Sequence, residues 1–180
     1  MTRPRTVTII VTVKTSGGAL LMGWNTQFAF AVHALALLAC AGDSTLKSEA
    51  IASSVNTNPV VIRRILCMLA RAGLVTSQLG SGGGFRLGRS PGSITLVEVY
   101  RATEPGGMFC LLRRGGALAN QRCRVGKSIG SALGDVLREA NAAAETALSA
   151  ITIEDLLRTM KLRPGPGFEA PLASEGGNSQ

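Results

Sequence analysis

LKSEAIASSV, NTNPVVIRRILCMLARAGLV and TSQLGSGGGFRLGR follow one another over residues 46–89 and set the fold. The first reads as a short positioning helix with Ala50 and Ile51 turned inward. The second reads as a turn and then a second helix. Asn58 is placed to cap it and Pro59 to occupy its first position, where a missing N–H costs nothing. Ile62, Ile65, Leu66 and Leu69 recur at helical spacing and form one apolar stripe, with Val60, Val61, Arg63, Arg64 and Met68 opposite. The third segment is a glycine-rich tip between two short extended arms, with Arg86 and Arg89 beside it, as in a basic wing. Phe85 and Leu87 alternate with Arg86, so both apolar side chains fall on one strand face and Phe85 packs under the wing. Lys47, Arg63, Arg64, Arg71, Arg86 and Arg89 stand against Glu49 alone in this stretch. It therefore holds +5 of the chain's formal +8.

At 180 residues the chain is long enough for one principal core without a metal or disulfide. Its 46% hydrophobic content argues against global disorder. A pI of about 10.2 favours a polyanionic partner over an acidic protein, and the clustering of the basic residues in a helix-turn-helix pattern makes that partner double-stranded DNA. Arg101, Arg113 and Arg158 lie outside the cluster and read as solvated surface. Cys40, Cys67, Cys110 and Cys123 show no CxxC spacing, which fits a reducing cytoplasm and no membrane association. Cys40 and Cys67 fall in helical patterns and read as packing residues. Residues 1–21 read as a flexible extension, either a disordered basic tail or an overextended start.

From Gly23 to Ala41 the pattern is helical, with Trp24, Phe28, Ala31, Leu35 and Leu38 on one side, until Gly42-Asp43 breaks it. Thr95 and Glu98 form a Thr-x-x-Glu capping box for LVEVYRA, in which Val97 and Tyr100 offer apolar surface to the wing base or first helix. The winged helix-turn-helix is thus expected over residues 22–102, and an irregular hinge or sensor loop over 103–126. A long helix runs from about Lys127 to Ser149. Its stripe of Ile129, Leu133, Val136, Leu137, Ala140, Ala144, Ala147 and Leu148 needs a partner. Crossed in a homodimer, two such helices would be buried and would set two recognition helices about 34 Å apart. Thr152 and Asp155 cap a further short helix, which closes a dimerisation region at 127–160. A flexible tail follows at 161–180. The expected fold is mainly α with a small β wing: a winged helix-turn-helix with a long carboxy-terminal dimerisation helix.

Asn56, Thr57 and Asn58 can offer amides and a hydroxyl to base edges or phosphates, or serve only the turn and the cap. Arg63 and Arg64 are adjacent and point different ways, so at least one is expected to face the duplex. Val60 and Val61 can meet a thymine methyl or simply pack. Gly82, Gly83 and Gly84 let the wing backbone approach a minor groove, with Arg86 steering to phosphate. Cys123 sits in an Arg-Cys-Arg setting that favours thiolate and makes it the candidate sensor; a packed or inert thiol is the alternative. A small molecule or an oxidant is the expected class of effector.

Enzyme readings fare poorly. Gly126-Lys127-Ser128 resembles the end of a phosphate loop, but Gln121 stands where its first glycine belongs. His33, the one histidine, lies in an apolar helix, and no strand-elbow motif supports a Ser/His/Asp set. The competing non-enzymatic reading is a thiol sensor or dimeric interaction module whose winged helix binds protein. The basic wing and the Arg/Asn turn disfavour it.

The segments QFAFAVHALALLA, SSVNTNPVVIRRILCMLARAGLV, GSGGGFRL, SITLVEVYRA and CRVGKSI together resemble the Rrf-two, or BadM-like, family of bacterial transcription regulators over residues 22–158. The resemblance implies a homodimer with crossed carboxy-terminal helices that binds pseudo-palindromic operators, often as a repressor. Some members hold an iron–sulfur cluster through three cysteines in the loop before the long helix. Only Cys110 and Cys123 lie there in this chain, so the resemblance is to the branch without a cluster, and no metal or other cofactor is expected. In that branch Cys123 would open a Cys-Pro-Val-Gly motif, here altered by Arg124 in place of proline.

Overall fold

The computed structural model describes residues 26–80, 82–104 and 122–165. Trp24 and Cys110 lie outside them. The elements in order are α1 (Thr26–Ala41), α2 (Ser48–Val55), α3 (Pro59–Arg71), β1 (Val75–Gln78), β2 (Gly84–Leu87), α4 (Leu96–Thr103), α5 (Arg124–Ser149) and α6 (Ile153–Thr159). A single 3-10 turn at Pro91–Ser93 precedes α4. This is the expected mainly helical chain with a small two-stranded wing.

α1 is rich in Ala and Leu, both strong helix formers, and Ala34 to Ala41 are all buried, so its second half runs through the centre of the domain. It ends at Gly42, whose φ of 61° suits glycine. α3 presents Ile62, Ile65, Leu66 and Leu69 to the core, each at most 1% exposed. Burying each such side chain stabilises by about 1.5–3 kcal/mol, enough to fix the angle of α3 against α1. On α2 the inward residues are Ile51 and Ala52, whereas Ala50 is only half-buried. Met68 is not on the outward side of α3; it is half-buried and packs against the core.

β1 and β2 pair antiparallel from Val75↔Leu87 to Gln78↔Gly84. Leu46 joins them through a bridge to Phe85, with N–H···O distances of 2.9 and 2.8 Å. Phe85 and Leu87 both pack on the core as their alternation requires, and Tyr100 meets Phe28 of α1 edge to face at 6.0 Å.

The long helix begins at Arg124, three residues before the expected start, and α4 continues through Thr103. None of the 26 residues of α5 is buried. α5 is held near its carboxyl end, where Glu145 pairs with Arg101 at 2.6 Å and Leu148 packs against the core. The chain then returns to the winged domain. Leu96 N–H donates to Ile151 O at 2.8 Å, Ile153 N–H donates to Ile94 O at 3.0 Å, and Ile153 and Leu157 of α6 are fully buried beside α1. Thr152 caps α6, its Oγ1 accepting from Asp155 N at 3.1 Å while the Asp155 carboxylate accepts from Thr152 N at 3.1 Å.

Candidate nucleic-acid interface

The turn between α2 and α3 is made by Asn56, which takes a left-handed conformation with φ of 56°, one that asparagine tolerates better than most residues. Its own N–H and that of Thr57 satisfy the last carbonyls of α2, at Ser53 and Ala52. Asn58 then caps α3, its Oδ1 accepting from Val60 N at 2.8 Å. The cap occupies that oxygen, so Asn56 and Thr57 are the less committed members of the trio.

With the core stripe inward, the 100° step of the helix puts Val60, Arg64, Cys67 and Arg71 on the outward line. All four are exposed, Val60 by 65%. Val61 lies to one side at 37%. Arg64 makes no hydrogen bond or ion pair among the described residues. Arg63 differs. Its Nε donates to Ser48 Oγ at 3.0 Å, a second nitrogen donates to Glu49 Oε1, and Ser48 Oγ donates to Glu49 Oε2 at 3.0 Å. The Glu49 carboxyl is held below the usual carboxylate range by its own backbone N–H, by the Ser48 hydroxyl and by Arg63. The two adjacent arginines therefore part: one is tied to α2 and the other projects.

In the wing, Gly83 and Gly84 are required by the hairpin itself. A Cβ on Gly83 would fall 2.3 Å from Gln78 O, and one on Gly84 would fall 2.7 Å from Leu46 O. Gly82 has open space around it, and its carbonyl accepts from Thr45 Oγ1 at 3.1 Å. Arg86 projects from the face opposite Phe85 and Leu87, its Nε 3.4 Å from Thr76 Oγ1. Arg89, counted above with the basic wing, instead pairs with Glu98 of α4 at 2.8 Å. That pair, with the Thr95 N–H, lowers the Glu98 carboxyl.

Cys40 is buried in α1, as its pattern suggested, but Cys67 is exposed between Arg64 and Arg71. The spacing 60, 64, 67, 71 carried the signal for Cys67 and Arg71, which the apolar stripe drew attention away from. Cys123 is exposed at the cap position of α5, and Gly126 to Ser128 lie inside that helix.

The chain matches the family described as "Rrf2: Iron-dependent Transcriptional regulator" over residues 24–159. It is 36% identical over 133 residues to "Putative HTH-type transcriptional regulator YwnA" of Bacillus subtilis (strain 168), an alignment covering 74% of this chain and 96% of that one. A solved structure described as "a putative DNA binding protein" superposes with a TM-score of 0.58 at 36% identity, covering 73% of this chain and 98% of the other. CymR of B. subtilis, at 21% identity and a TM-score of 0.55, covers 78% of this chain and 98% of its own and shares the fold.

The iron in the family's description finds few donors here. Between residues 103 and 126 the only carboxylate, imidazole or thiol groups are Glu104, Cys110 and Cys123. Cys40 and Cys67 belong to α1 and α3, and among the described residues no three such groups converge. Two thiols in the loop are too few for the cluster sites that three or four cysteines build. The likeness is one of architecture and of regulator lineage, and on the match over residues 24–159 the chain belongs to the Rrf2 family of transcriptional regulators.

Proposed function

We propose that this regulator binds DNA sequence-specifically as a homodimer and represses by occupying a pseudo-palindromic operator. The observation that carries the reading is the outward line of α3, where Val60, Arg64, Cys67 and Arg71 stand clear of the domain; Asn56 and Thr57 lie at its amino end, the end by which a recognition helix of this kind meets base edges. Arg64 is the residue for a guanine edge or a nearby phosphate, Val60 and Val61 suit a thymine methyl, and Gly82 with Arg86 brings the wing to the backbone. Arg63 supports α3 from the side. Crossed α5 helices would join two such units, so that bound dimers block polymerase. Among the described residues no helix is long and apolar enough to cross a membrane.

Selection of bound duplexes from a random pool by the full-length protein tests the reading. The expected product is a two-fold symmetric motif whose half-sites are about one helical turn, 34 Å, apart. Failure to enrich any motif would defeat it. Cys123, exposed where α5 begins, is the oxidant-responsive residue of this reading. Peroxide should weaken operator binding by the protein and not by its Cys123→Ser form, and equal affinity in all states would remove the sensor role.

A further inference from the structure

Arg63 lies on the flank of α3 that faces the start of α2, and three hydrogen bonds close a ring among Arg63, Ser48 and Glu49. Ser48 is 5% exposed, so the ring is anchored on a buried hydroxyl, while the Arg63 and Glu49 side chains remain about half exposed, at 54% and 48%. Glu49 sits in the first turn of α2, where the helix dipole favours its negative charge. The ring cancels one positive charge beside the exposed line of α3.

We propose that Glu49 and Ser48 hold Arg63 on the protein side of the interface, so that Glu49 acts as a positioning residue limiting the sequence-blind part of DNA binding. The inference rests on the DNA-binding reading above. A released guanidinium on a long flexible stem reaches phosphate, and phosphate contacts strengthen binding to every duplex without regard to sequence. Held in the ring, Arg63 leaves discrimination to Arg64 and the Asn56-Thr57 turn. Its partner carboxylate, already neutralised, does not repel the backbone.

The test is a salt titration of binding to a random-sequence 30-base-pair duplex by the full-length protein, Glu49→Gln, Arg63→Ala and the double variant, with thermal melting of each. Glu49→Gln should bind several-fold more tightly near 0.1 M salt and steepen the slope of log affinity against log salt by about 0.9 per protomer. Arg63→Ala should keep the original slope. The double variant should not show the steeper slope of Glu49→Gln, because that gain runs through Arg63. Three results would overturn the proposal: an unchanged slope in Glu49→Gln, a slope reduced by about 0.9 in Arg63→Ala alone, or a gain that survives in the double variant and so reports only the lost negative charge. Should Glu49→Gln fail to melt cooperatively, the Arg63→Ala slope still decides. An original protein with no salt-dependent binding would instead remove the DNA-binding reading, and the proposal with it.

Discussion

His33 lies on α1 with Nε2 3.1 Å from Ser54 Oγ on α2, in the wall of an apolar cleft that also includes Phe28, Leu37 and Leu156. Desolvation there lowers its pKa below the ordinary 6.5. The folded chain thus resists a proton that the unfolded chain accepts. The resulting stabilisation is complete above about pH 6.5 and is lost as pH falls from there toward the lowered folded value. Glu49, Glu98 and Asp155 also have lowered pKa values, but as carboxyl groups they act in a separate, more acidic window. Their stabilisation is present above their unfolded pKa values and disappears as pH falls through the folded ones. The melting temperature should therefore decline shallowly below about pH 6.5 and more steeply once the carboxylates titrate. His33→Gln should remove the first decline and keep the second. A first decline that persists in the variant would show that some other group causes it.

At the scale of elements, the wing separates two roles that glycine can play. Gly83→Ala places a methyl against the Gln78 and Gly80 carbonyl oxygens, so the hairpin must distort, at a cost of about 1–3 kcal/mol. Gly82→Ala meets nothing within 4 Å and should change stability by less than about 0.5 kcal/mol. If Gly82 lies close to the minor groove, that same variant should still lose operator affinity. Calorimetry and binding titrations on the two proteins check the pair, and a destabilised Gly82→Ala with a normal Gly83→Ala would contradict the hairpin geometry. The periodic stripe of α3, the Asn58 cap, the Thr95 and Thr152 helix starts and the Phe85/Leu87 alternation were all legible in the sequence, because each depends on neighbours within a turn or a strand. The Arg63 ring, the Arg89–Glu98 pair and the return of α6 to Ile94 and Leu96 were not. Each depends on how separate segments pack against one another, which no pattern within a single turn or strand encodes.

At the scale of the whole molecule, α5 stands apart: 26 residues span about 39 Å, and its anchors lie near the carboxyl end. Toward the other end Val125, Ile129, Leu133 and Val136 are 39–67% exposed. In a single chain these positions tolerate charge because water already reaches them. In a dimer whose α5 helices pack on one another, the same charge would be buried without a partner, at a cost of several kcal/mol. Ile129→Asp with Leu133→Asp should therefore yield a folded monomer with near-normal melting of the winged domain. Ile153→Asp, at a fully buried position of α6, should unfold the domain itself. Sedimentation velocity distinguishes monomer from dimer, and circular dichroism reports whether the helices survive. The monomer should bind a palindromic duplex weakly, since the second half-site no longer benefits from the high effective concentration that the joined partner provides. A persistent dimer in the double variant would exclude this face of α5 as the interface. A dimer lost together with the fold of the winged domain would show that α5 supports its own chain rather than a second one.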